Sequence, residues 1–274
     1  MNGPTDMSNT NRKRKTHLDH LESRLTGPKR VALFGHRAVG KTTLLAMFYR
    51  EASTGRVPGA RLAAINSASA EYLAEKIAGI EAGEPPAGTL AETELKLRLY
   101  HGSGRLDLIV KDYQGEHVSL GADDRSIHEF FADCDAVLLC VDPVADANPA
   151  DRRRRQQEIE YLLERYIERS DDAQTDRPVG LLVTKYDRVL ARNGPPPEEV
   201  ERLVEARFGM TRHILATHAP RSALFGVSSY GRAAGDDDTP PPDPRPMGLE
   251  GPLLWLADHI AATSAAGRQG QRKG

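Results

Sequence analysis

Long apolar runs are missing from this sequence. No stretch approaches the ~18 consecutive apolar residues that cross a bilayer as a helix, so no transmembrane segment is expected. The basic run Arg12, Lys13, Arg14 and Lys15 has no apolar core after it, and a secretory signal needs one. Aromatic residues make up only 5 %, with none interleaved among basic residues, so a base-stacking RNA surface has no material to be built from. One-signed charge is lacking too. The formal net charge is −2, too small to draw in nucleic acid, and no nucleic-acid partner is expected. Cysteine is scarce. Cys134 and Cys140 lie in or beside one apolar run and are poorly spaced for a bridge, which fits buried thiols in a reducing cytoplasm. The nine histidines show no metal-binding spacing.

What is present is ordinary globular material, 39 % hydrophobic and 28 % charged, enough for one large domain. Richness in Ala, Arg, Gly and Pro fits a GC-rich bacterial genome. Residues 1–28 are polar and basic and read as a disordered segment, with a short helix possible over His17–Leu25. Apolar runs at 30–34, 135–142, 178–184 and 223–228 read as buried strands. Alternation over 93–100 and 105–110, split by His-Gly-Ser-Gly, reads as a hairpin. Helical periodicity marks Lys41 to about Glu51, 67–82 with a Ser cap, 126–134, 150–170, a helix from near Pro197, another over 209–217, and 250–262. Within 150–170, Arg152 to Arg155 are placed to pair with Glu158 and Glu160 along a solvated face. Segment 56–66 is ambiguous, 232–247 reads as a flexible Gly/Asp/Pro insert, and 263–274 as a disordered tail. Strands alternating with helices predict a mixed, mostly parallel sheet with helices on both faces, in one domain over 29–262.

Three short motifs carry chemistry. Gly35-His36-Arg37-Ala38-Val39-Gly40-Lys41-Thr42 fits G-x-x-x-x-G-K-[ST], between a strand and a helix. Its glycines let backbone N–H groups face phosphate oxygens, the helix N-terminus adds partial positive charge, Lys41 can reach the β- and γ-phosphates, and the Thr42 hydroxyl can meet Mg²⁺. Thr43 follows on the same turn. The second motif, Asp112-Tyr113-Gln114-Gly115, ends the hairpin. Its Asp can hold Mg²⁺ through water and its Gly can donate to the γ-phosphate. The third, Thr184-Lys185-Tyr186-Asp187, ends a buried strand. Guanine presents N1–H and N2–H₂ side by side, and a carboxylate has two oxygens at matching spacing, so Asp187 can bind both. The Lys185 stem can lie over the base. Ser228-Ser229-Tyr230 follows the last strand, where backbone N–H groups can meet the guanine O6.

The order of these motifs resembles the Ras-like P-loop GTPases of the translation-factor-related class, over about residues 29–262. The run Asp-Tyr-Gln-Gly-Glu at 112–116 is similar to certain bacterial members. The resemblance implies GTP and GDP as ligands with Mg²⁺ as cofactor. It implies Lys41 and Thr42 at phosphate and metal, Asp112 at the metal through water, and Thr184, Lys185, Asp187 and Ser229 around the base. It further implies a first-switch threonine as a second metal ligand. Thr89, in the Gly/Pro-rich loop before the hairpin, is favoured over Thr93.

Three departures bear on activity. Thr184 stands where Asn is usual. Arg37 fills a loop position that is usually small, where it can act as a built-in cation or crowd the γ-phosphate. Glu116 stands where relatives place the glutamine that orients water. The expected function is a slow, Mg²⁺-dependent GTPase switch with Lys41, Arg37 and Glu116 as its catalytic set. Loops 83–93 and 113–125 would respond to nucleotide and engage an effector. The alternative is an interaction module that holds GTP with little turnover. An ATP-using enzyme is disfavoured by Asp187.

Overall fold

The computed structural model describes residues 27–86, 93–112, 134–144, 148–167, 177–193, 200–231 and 239–270. Seven strands form one sheet: β1 Lys29–Phe34, β2 Ala60–Ala64, β3 Thr93–His101, β4 Gly104–Asp112, β5 Ala136–Val141, β6 Val179–Val183 and β7 Ser222–Gly226. Their order is β2-β3-β4-β1-β5-β6-β7. Pairing is parallel from β4 through β1, β5 and β6 to β7. It is antiparallel for β2–β3 and β3–β4. The mixed, mostly parallel sheet expected from the sequence is therefore present.

The described helices are α1 Lys41–Ser53, α2 Ser67–Glu81, α3 Pro149–Ile167, α4 Tyr186–Asn193, α5 Val200–His218 and α6 Glu250–Gly270. They cover both faces, because the central strands are apolar on both. In β1, Val31 and Leu33 point into a core with Leu44 and Phe48 of α1, Leu73 and Ile80 of α2, and Leu253 and Leu256 of α6. Ala32 and Phe34 point the other way, onto Leu162 and Tyr166 of α3, Val189 of α4 and Leu215 of α5. Strand β3 buries only Leu95, Leu97 and Leu99. Its other face carries charge, including the Arg98 guanidinium 2.6 Å from Asp107 across the hairpin, which is the one-sided alternation legible in the sequence. Gly180 lets Trp255 of α6 lie close on β6, since a Cβ there would stand 3.2 Å from the indole and 2.8 Å from Leu138. Cys134 and Cys140 are both buried and are not joined in a disulfide.

Several elements differ from the reading of the sequence. The ambiguous 56–66 stretch supplies the edge strand β2, whose small residues bury only Ala60 and Leu62 and leave little alternation to see. Helix α2 is capped by Asn66, which accepts from Ser69 N–H at 3.0 Å, rather than by Ser67. The two helices expected near Pro197 and over 209–217 run together as α5, bent at Phe208. The short α4 was not foreseen, and Asp187 falls in its first turn rather than at a strand end. Part of the expected flexible insert is packed. Pro240, Pro241 and Pro244 are buried, and Met247 and Ser228 exchange both backbone hydrogen bonds at 3.0 Å. Prolines that lack N–H groups made this strap look structureless, yet its carbonyls and its ring surfaces still find partners. Helix α6 also continues to Gly270, into the stretch expected to be a disordered tail. The expected helices at 17–25 and over most of 126–134 lie outside the described residues.

Candidate functional site

Five parallel strands end at one edge of the sheet, and every motif found in the sequence hangs from that edge. Phe34 of β1 sits beside Leu139 of β5, and Leu33 sits beside Asp112 of β4. Val183 of β6 lies between Val141 and Gly226. The residues that follow these positions are therefore neighbours: Gly35, Asp112, Asp142, Thr184 and Val227. Thr93, which begins the antiparallel β3, faces Asp112 across the hairpin. The carboxyl edge of a parallel sheet is where ligands bind in open α/β folds.

At one end of this edge lies the Gly35–Thr42 loop. Gly35 has φ +151°, and a Cβ there would stand 2.5 Å from the carbonyl oxygen of Cys140, so only glycine fits between β1 and β5. Ala38 also has positive φ. Val39 is buried in the core and anchors the loop by its side chain, whereas Arg37 and Ala38 are exposed. Gly40 caps α1 without a side-chain hydrogen bond, and the first turn of α1 has no acidic residue. That arrangement leaves a helix N-terminus whose field favours an anion. The buried Lys41 ammonium folds over the loop, donating to the carbonyls of Gly35 at 2.7 Å and His36 at 3.0 Å. Thr42 is buried on the first turn and Thr43 is half-buried.

At the other end are Thr184–Asp187 and Ser228–Tyr230. Thr184 is buried, and its N–H and hydroxyl both donate to the Val141 carbonyl, at 2.8 and 3.1 Å. Lys185 has φ 50°. Asp187 is only 7 % exposed. Burial pushes its carboxyl above the ordinary value, and a hydrogen bond from the Ser228 hydroxyl pulls the other way. The Ser228 oxygen also accepts from Gly231 N–H at 2.8 Å and Tyr230 N–H at 3.3 Å, while Ser228 N–H goes to Met247. The Ser228 and Tyr230 N–H groups thus have partners, and among the described residues Ser229 N–H has none. Of the three amides expected to face O6, Ser229 is the one the geometry leaves open.

The candidate metal ligands are partly in view. Thr42 and Asp112 are both at this edge, and both offer oxygen, the donor that Mg²⁺ takes. The donor chemistry of a hydroxyl and a carboxylate fits such an ion. Thr89, Gly115 and Glu116 lie outside the described residues.

Two further residues were not singled out in the sequence. His36 is buried, with Nε2 3.0 Å from the Arg155 carbonyl and Nδ1 3.3 Å from the Glu158 carboxylate, so it ties the loop to α3. Burial holds its pKa below the ordinary histidine value, opposed by those two acceptors. Glu158 is also held by Arg154 at 3.1 Å, as i,i+4 spacing predicts, whereas Glu160 is held by Gln156 at 2.9 Å. A Glu at an apolar position of a charged helix was the available signal. The second residue is Asp142, which shares with His36, Arg155 and Phe208 the lining of a small cleft.

Comparison with known proteins follows the same lines. The double-GTPase 2 family model matches residues 29–240. No curated protein matches the chain. Among solved structures, the small GTPase Arl6 (BBS3) from Trypanosoma brucei with bound nucleotide analogue GppNp is similar, with 16 % identity over 86 % of this chain and 98 % of that one, at a TM-score of 0.48. Roco2 RocCORdC from Methanosarcina barkeri, bound to GDP, is similar with 15 % identity over 85 % of this chain, at a TM-score of 0.42. The matched part spans 49 % of the Roco2 chain.

Proposed function

The chain belongs to the double-GTPase 2 family and is a GTP-binding protein, and from that premise we propose that it is a Mg²⁺-dependent molecular switch with slow intrinsic hydrolysis. The observation that carries the reading is the convergence, at one sheet edge, of a helix N-terminus with no side-chain cap at Gly40 and a buried carboxylate at Asp187. The first end suits a polyphosphate. The second suits the paired donors of guanine and repels the edge of adenine, which lacks them.

In this reading Lys41 turns its ammonium from the loop carbonyls toward the β- and γ-phosphates, while the amides of the loop through Thr43 and, further on, of Gly115 donate to phosphate oxygens. Asp187 accepts from N1–H and N2–H₂, Ser229 N–H donates to O6, and the Lys185 stem covers the ring. Ser228 acts on the base through Asp187, Thr184 holds the two strand ends together, and Tyr230 packs behind the turn. Mg²⁺ would supply positive charge that offsets the phosphates. Thr42, Asp112 and a first-switch threonine, Thr89, would hold it.

Slow turnover follows from two side chains. Phosphoryl transfer is accelerated by placing water in line and by offsetting charge. A glutamine can both accept from that water and donate toward phosphate, whereas an ionised Glu116 can only accept, and it adds negative charge. Arg37 is exposed at the loop and can offset it. Single-turnover hydrolysis should therefore run near ~10⁻⁴ s⁻¹. If repulsion dominates, Glu116→Gln speeds it. If Arg37 assists, Arg37→Ala slows it. An unassisted rate above ~1 s⁻¹ would contradict the slow switch, because it requires a complete catalytic set.

A further inference from the structure

Asp142 belongs to none of the sequence motifs. It follows β5, a strand buried at every position, and its own side chain is 1 % exposed. A carboxylate in such a place costs free energy unless its oxygens are satisfied. Only one is. Oδ1 accepts from Val144 N–H at 2.8 Å, closing a turn that stops the strand. Oδ2 is buried and accepts no hydrogen bond, and the Lys185 ammonium stands 3.1 Å from it, off the hydrogen-bond axis. That oxygen is held by charge.

Lys185 is costly as well. Its φ of 50° is left-handed, a conformation that a residue with a Cβ disfavours. Its neighbours hold it there. Thr184 is tied to Val141 by two hydrogen bonds, and Tyr186 N–H donates to the Val227 carbonyl at 3.1 Å. An Asn at 142 would close the same turn without a buried charge, and a Gly at 185 would relieve the backbone. The turn and the strand ends therefore do not account for the pair. What the pair does produce is a lysine stem fixed at both ends, two residues before the buried Asp187.

We infer that Asp142 is a positioning residue for guanine: its carboxylate pins the Lys185 ammonium so that the four-carbon stem lies as a preformed platform beside Asp187. This rests on the GTP-binding reading. Because the platform acts at the base, it serves GTP and GDP alike.

The test is a double-mutant cycle on the full chain, with Asp142→Asn, Lys185→Met and the pair. Labelled GDP is displaced by GTP, GDP and ATP, and thermal unfolding is followed without nucleotide. Asp142→Asn keeps the acceptor for Val144 N–H and removes only the charge. It should weaken GTP and GDP equally, by about tenfold, with no fall in unfolding temperature. Lys185→Met should weaken them at least as much and also destabilise the protein, since it strands the Asp142 charge. In that background Asp142→Asn should cost no further affinity and should restore stability. Affinity losses that multiply in the double variant would assign Asp142 a role independent of Lys185 and overturn the proposal, as would unchanged affinity in Asp142→Asn. Wild-type protein that takes ATP as readily as GTP would instead remove the guanine reading itself, and this proposal with it.

Discussion

The two ends of the proposed site are built in different ways. The phosphate end is one contiguous segment, Gly35 to Thr43, whose binding groups are mostly backbone amides, and whose shape comes from two glycines and a buried valine. The base end is assembled from three segments distant in sequence: Asp142 after β5, Thr184–Asp187 after β6, and Ser228–Tyr230 held by the 239–247 strap. Its binding groups are mostly side chains, and it contains two carboxylates buried at a cost. The first end takes its shape from the backbone and carries charge on Arg37 and Lys41. The second spends stability to hold a selective surface ready, as functional sites commonly do.

That contrast orders the expected effects. The largest belongs to Lys41, whose buried ammonium lies over the loop of the phosphate end. Lys41→Ala should weaken GTP by about a hundredfold or more and GDP by less, read by equilibrium displacement of labelled GDP. Equal losses for both nucleotides would mean that the ammonium does not reach the γ-phosphate. Next comes Ser228→Ala at the base end. It removes the hydroxyl that donates to Asp187 and the oxygen that holds the Gly231 N–H, and should weaken both nucleotides by about fivefold.

A third prediction concerns stability. The Asp187 carboxyl is raised by burial above its ordinary 3.8, so the folded state holds that proton more tightly than the unfolded chain. Its cost to stability therefore appears as pH rises from 3.8 through the raised value and is fully present above it. Asp187→Asn should unfold at a higher temperature than wild type at pH 7 in the absence of nucleotide, with the gap narrowing toward pH 4. A gap that does not change with pH would remove the claim that burial of this charge costs stability. A fourth effect, on stability alone, belongs to Arg50, which joins Glu51 and Glu81 to the strap carbonyl of Pro244 at 2.9 Å. Arg50→Ala should cost ~1–2 kcal/mol in denaturant unfolding and leave the GTP-to-ATP ratio unchanged. A changed ratio would show that the strap shapes the base end directly.

The same contrast explains what could be read from the sequence. The phosphate end was legible because its geometry is local: glycine positions, a lysine and a strand–helix junction all sit within one short run. The sheet was legible because its strands are apolar on both faces or alternate cleanly, as β5 and β3 do. The base end was legible only as motif residues. That Ser228 serves Asp187, or that Asp142 faces Lys185, depends on strand register, and register is a tertiary fact. The strap was misread for a related reason. Its prolines and aspartates describe a chain with few local hydrogen bonds, and its partners, Tyr230, Ser228 and Arg50, lie elsewhere. His36 was passed over because a buried imidazole announces itself only through Glu158 and Arg155 of a distant helix.

Guanine recognition, as proposed, rests on Asp187, and nucleotide selectivity tests it most directly. Labelled GDP is displaced from wild type and from Asp187→Asn by GTP, ATP and xanthosine triphosphate. Wild type should prefer GTP strongly over both others. The variant should lose about thirtyfold for GTP and gain for xanthosine triphosphate, whose edge carries an acceptor where guanine has N2–H₂. Equal displacement by ATP and GTP in the wild type, or an unchanged order of preference in the variant, would contradict it.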